Sequence, residues 1–202
     1  MAVYLILGIT FGFTVAVQPG PFQTFLISRT LQQGWRHTLP AICAPLISDI
    51  PIAVLVLLIL NNVPAWVENI LHFAGGFFLL YLAWGAFQSF RHYSRNQAAL
   101  AQSARQNFLK AMAVDLTNPN AYLAWSLIIG PLLIKAWQEA SSHGIALLAG
   151  FYAAMLLTSS AIIFMFAGIG KLVPGVNRIL IGISVAALVG FGLYQLWLGA
   201  AS

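Results

Sequence analysis

The sequence predicts an all-α integral membrane protein of six transmembrane helices, built as two inverted three-helix repeats in which helices 1 and 4 are broken. Three observations carry that reading. Of 202 residues, 60% are hydrophobic and only 6% charged, with a mean hydropathy of +0.88, whereas a soluble domain carries about 25% charged residues. The apolar residues gather into six runs of spanning length. A proline-centred break in the first run recurs, with aromatic companions, in the fourth.

Crossing about 30 Å of hydrocarbon takes roughly 20 residues of helix, and runs of that order lie at about 3–28, 39–60, 70–90, 111–134, 145–169 and 179–199. Polar punctuation separates them at Arg29 to His37, Asn61 to Asn69, Arg91 to Lys110, Lys135 to His143 and Lys171 to Arg178. Backbone left unpaired in lipid is costly and the runs exceed strand length, so helices are expected rather than a barrel. The expectation is a single transmembrane domain over 1–202: repeat one about 1–90, a cytoplasmic loop about 91–110 and repeat two about 111–202. Residues 3–17 are apolar but lack a basic flank and a small-residue cleavage site, so they are expected to stay in the mature chain. The single cysteine, Cys43, excludes a disulfide within one chain.

Charge placement sets the orientation. Arg29, Arg36, Arg91, Arg95, Arg105, Lys110, Lys171 and Arg178 fall after odd-numbered spans, and Lys135 alone falls on the other side. Lys and Arg mark cytoplasmic loops, so both termini are expected outside a bacterial inner membrane. The basic pI of about 9.7 then reports topology and not a nucleic-acid partner.

The repeat is read from two echoes. At an offset of 100 residues, Pro19 falls on Pro119, Phe22 on Tyr122 and Phe25 on Trp125; Tyr81-Leu82-Ala83-Trp84 returns as Tyr194-Gln195-Leu196-Trp197. Three spans per half force the second half to enter from the opposite side, a plan common in secondary transporters, whose broken helices meet near the midplane. The symmetry implies that span 4 is preceded by an amphipathic segment from about Ser103, carrying Arg105 and Lys110.

The chemistry inside the spans is sparse and therefore informative. Proline lacks a backbone donor and clashes with the carbonyl four residues back, so Gln18-Pro19-Gly20-Pro21 breaks span 1 and exposes N–H groups at the start of the next half-helix. Such a start attracts an anionic group, for example a carboxylate. Asn118-Pro119-Asn120 is the polar counterpart in span 4. Asp49 lies near the centre of span 2, where a charged Asp costs on the order of 3 kcal/mol; it is the candidate to bind an ammonium or exchange a proton. Asp115, early in span 4, is the second proton-coupling candidate. Ser48, Ser159 and Ser160 are secondary candidates. His72 reads as a boundary residue. No HExxH, GxSxG, Walker A or Cys/His cluster occurs, so no catalytic residue, metal site or cofactor is expected.

On Pro19-Gly20-Pro21, the central Asp49, Gly75-Gly76 through Tyr81-Leu82-Ala83-Trp84, and Asp115-Leu116-Thr117-Asn118-Pro119, the chain resembles the lysine exporter (LysE/RhtB) family of amino-acid exporters over nearly its full length. The resemblance implies six spans and proton-linked export of amino acids or related metabolites. Two positions depart from it: Asn120 stands where members commonly have Lys, and Ser48 where many have Gly.

The expected partners are thus a small-molecule substrate, protons and the lipid bilayer, with homodimer formation left open. The alternatives are a small cation or metal exporter, which would need more ligands than two aspartates, and an intramembrane enzyme or non-transporting subunit. An enzyme would need a second titratable group beside Asp49.

Overall fold

The computed structural model describes residues 1–58, 65–91, 103–172 and 176–201, and its regular elements are all helical. In chain order they are α1 (Ala2–Val17), α2 (Pro21–Gln33), the single turn α3 (Trp35–Thr38), a 3-10 segment (Leu39–Cys43), α4 (Pro45–Leu58), α5 (Ala65–Arg91), α6 (Ala104–Leu116), α7 (Pro119–Ala124), a π-helical turn (Trp125–Ile129), α8 (Gly130–Glu139), α9 (Ser141–Leu172) and α10 (Val176–Ala201). Among the described residues, three helical stretches are long and apolar enough to cross a membrane: Trp35–Val56, Ser141–Ile169 and Arg178–Ala201. The α1–α2 pair, bent by 62°, makes a fourth if it is one broken span.

Both sequence-predicted breaks are present. The first helix stops at Val17 and restarts at Pro21 after an extended Gly20; α6 stops at Leu116 and α7 restarts at Pro119. Each restart places proline in the first helical turn, where its missing N–H is not needed. Asn118 caps the second restart, its side chain accepting from the Asn120 N–H at 3.2 Å.

Four expectations need correction. The polar surroundings of Arg29 predict a loop, yet α2 continues to Gln33 and ends only at Gly34, whose φ of +83° suits glycine. Packed by α6, α9 and α10, this polar helix buries Arg29 to 4% exposure, with its guanidinium over the Phe25 ring at 5.4 Å. The loop expected over 91–110 ends sooner, because the segment expected from about Ser103 is helix α6, started by a capping box of Ser103 and Gln106. Arg105 and Lys110 therefore ride on this helix, and span 4 is divided between α6 and the stretch from α7 to α8. Lys135 lies within α8, which hands over to α9 through Ala140 alone. His72 is not at a boundary but buried inside α5 against Gln195 of α10. His92 and Arg95 lie outside the described residues.

Two helix pairs dominate the packing. Tyr4 meets Glu139 and His143, Gly8 meets Leu147 and Gly12 meets Phe151, so α1 and α9 run parallel. A Cβ at Gly8 or Gly12 would lie 2.1 Å from the carbonyl oxygen of Leu147 or Phe151, which is the close backbone approach that a Gly-x-x-x-Gly face permits. The α5–α10 pair runs antiparallel, with His72 beside Gln195 and Gly199, Gly76 beside Leu196, and Phe90 beside Gly182. Between these pairs, α2, α4, α6 and the α7 to α8 stretch enclose a cavity.

Candidate functional site

The cavity, about 130 Å³, is lined by both helix breaks and by the only two acidic side chains buried among the described residues. Gln18, Pro19, Gly20 and Pro21 come from the first break, Asn118 and Asn120 from the second. Asp49 projects from α4 and Asp115 from the end of α6. Ala16, Ala124, Trp125, Ile129, Phe151 and Met155 supply apolar wall. No Lys, Arg or His lines it among the described residues.

Each carboxylate is held by a hydroxyl from another helix. Tyr152 of α9 donates to Asp49 Oδ2 at 2.9 Å, and the Trp125 side chain of the π-turn also faces Asp49. Asp115 is in hydrogen-bond contact with Ser48 of α4. The Ser48 hydroxyl also reaches the Ala44 carbonyl at 3.0 Å. That hydroxyl has one proton. With Asp115 ionised it donates to the carboxylate; with Asp115 protonated, the acid donates to Ser48 Oγ and the Ser48 proton turns to Ala44. The π-turn itself widens the helix where Trp125 enters the site, and such single-turn irregularities recur at functional positions.

Of the residues singled out in the sequence, Gln18, Pro19, Gly20, Pro21, Asp49, Asp115, Asn118 and Asn120 line this cavity. Pro119 is buried behind it as the first residue of α7, and Ser48 acts on it through Asp115. Asp115 is buried as well as lining the cavity. Ser159 touches Gln23 of α2 and Ser160 donates back to the Leu156 carbonyl at 2.7 Å; neither is among the lining residues. Sequence reasoning missed Gln23, Trp125 and Tyr152. A signal existed for two of them: an amide three residues after Gly20 and a phenol inside an apolar run both require a partner when buried.

Among the described residues no three His, Cys, Asp or Glu side chains converge as metal ligands. His72, the one buried histidine among them, engages Gln195 on the α5–α10 pair and does not line the cavity.

No curated protein and no solved structure matches the chain. A family match covers residues 13–199, from the last turns of α1 to the last turn of α10, and so includes both breaks and both buried aspartates. With all-helical architecture, apolar helices and a polar-lined cavity at the helix breaks, the chain belongs to the LysE type translocator family.

Proposed function

We propose that this translocator is a secondary active exporter of amino acids or related small metabolites across the bacterial inner membrane, with proton exchange as its driving reaction. The single observation that carries this reading is the cavity shared by Asp49 and Asp115 with no lining cation among the described residues. Two carboxylates in a low-dielectric site require positive charge close by, and a proton and a substrate ammonium are the two forms that can alternate. The N–H groups that open α2 are available to a substrate carboxylate.

In this mechanism Asp49 takes the ammonium and Asp115 carries the proton. The one-proton geometry of Ser48 supports the second role, because the serine can accompany either state of Asp115 without leaving it bare. Ser48→Ala is expected to lower proton-driven export about tenfold, the loss of one hydrogen bond to a charged group, with substrate-for-substrate exchange retained. Equal loss of both activities would remove the proton role from Ser48 and Asp115.

Six spans follow if α1–α2, the 35–58 segment, α5, the α7 to α8 stretch, α9 and α10 each cross. The parallel α1–α9 and antiparallel α5–α10 packings fit that parity, since first and fifth spans point alike and third and sixth oppose. The internal repeat is supported by matched exposure: Tyr81 and Trp84 on α5, like Tyr194 and Trp197 on α10, face outward, while Leu82 and Gln195 are buried. Arg178 stands over Phe90 near the end of α5 and Lys110 over Tyr81 farther back along it, which supports the reading of that end as cytoplasmic, with both termini outside. Whether one chain or a homodimer does the work is decided by its mass in detergent.

The test is export from proteoliposomes against a panel of the twenty amino acids, with and without a proton gradient. Export of at least one member, accelerated by an inward-directed gradient, is expected. Movement of none of them would overturn the reading.

A further inference from the structure

Gln23 is not part of the break motif, yet it is the polar side chain of α2 that lines the cavity beyond that motif. It is only 7% exposed. Its Nε2 donates to Ser159 Oγ at 3.3 Å, and its Oε1 is buried without a partner. Turning the amide over exchanges the two ends and still leaves one of them bare. A buried acceptor without a donor is uncommon and costly, and the residue that carries it lines a cavity that already contains two carboxylates and no lining cation among the described residues.

From this we infer that Gln23 is a specificity-determining residue that accepts an N–H from the cargo's ammonium, so that the site selects a primary ammonium over its N-methylated forms. The inference rests on the transport reading above and deepens it. The two charges of the site attract any cationic nitrogen. Gln23 Oε1 is satisfied only by one that carries hydrogen. A trimethylated nitrogen keeps the charge and brings no N–H, so it leaves the amide oxygen bare, and sites built to hydrogen-bond a substrate N–H discriminate strongly against analogues lacking it. Ser159 is the positioning residue that engages one end of the amide and leaves the other to the cargo.

The experiment uses the full chain in proteoliposomes, the panel amino acid that the wild type exchanges fastest, and the N-methyl and N,N,N-trimethyl derivatives of that amino acid. Wild type is expected to favour the primary ammonium. Gln23→Met, similar in length but without the amide, is expected to lower kcat/KM for the primary form at least about tenfold and to leave the trimethyl form unchanged, which collapses the ratio. Ser159→Ala is expected to give a smaller collapse in the same direction. A ratio that survives Gln23→Met means that exclusion is steric and overturns the proposal. So does wild-type indifference to methylation, a result that needs no variant to fold. Exchange of no panel member defeats the transport reading together with this one, whereas exchange with unchanged discrimination defeats this one alone.

Discussion

Asp49→Asn is expected to reduce amino-acid export to background while the protein still inserts and purifies at wild-type yield. The side chain is 6% exposed, faces the cavity and accepts a hydrogen bond from Tyr152. Asparagine keeps the volume and can still accept that bond, so packing between α4 and α9 is preserved. What disappears is the negative charge. A charge-assisted hydrogen bond is worth about 1.5–3 kcal/mol, and its loss corresponds to roughly 10- to 100-fold in substrate affinity. The division of labour proposed above makes a sharper demand: Asp49→Asn abolishes both proton-driven export and substrate exchange, whereas Asp115→Asn abolishes only the former. Uptake of labelled amino acid into preloaded proteoliposomes measures exchange, and a pH jump measures coupling. Full export by Asp49→Asn would end its role. Loss of exchange in Asp115→Asn alone would invert the assignment.

The largest expected effect on stability belongs to Gly12, far from any charge. A Cβ there would meet the Phe151 carbonyl oxygen at 2.1 Å, the Phe151 carbonyl carbon at 2.8 Å and Phe151 Cα at 3.0 Å. These are backbone atoms of a long helix and cannot move aside as a flexible side chain could. Gly12→Ala must therefore separate α1 from α9, and overpacking of this kind costs about 1–3 kcal/mol. The same shift displaces Phe151 and Met155, which line the cavity, so activity falls with stability. Gly190→Ala is the matched control, because nothing lies within 4 Å of its added methyl and alanine favours helix by up to about 1 kcal/mol. Thermal unfolding in detergent, followed by size exclusion, should show a lowered Tm for Gly12→Ala and none for Gly190→Ala. Equal midpoints would mean that the α1–α9 approach is looser than the structure has it.

Much of the site was legible because the membrane makes polar residues conspicuous. Gln18 to Pro21, Asp49, Asn118 and Asn120 stand out in apolar runs, and proline breaks a helix wherever tertiary packing places it. The misreadings share one cause. The expectations for Arg29 and His72 rest on distance from the end of an apolar run, a one-dimensional measure of depth. In the fold, α2 is a polar helix clothed by three others, so Arg29 is buried despite its neighbours in sequence. His72 is buried because α10 covers it. None of those partners is near in sequence.

The sequence by itself determined that this chain lives in a membrane, where its helices break and which aspartates stand inside apolar runs, because hydropathy, proline geometry and charge scarcity act locally on the chain. Only the tertiary structure decided that the two breaks and two aspartates share one cavity, that Tyr152 and Ser48 hold the carboxylates, and that Gln23 lines the same space. Such convergence depends on the close α1–α9 approach and on the turn of α6 against α4. Those are three-dimensional facts about packing, and no spacing along the chain encodes them.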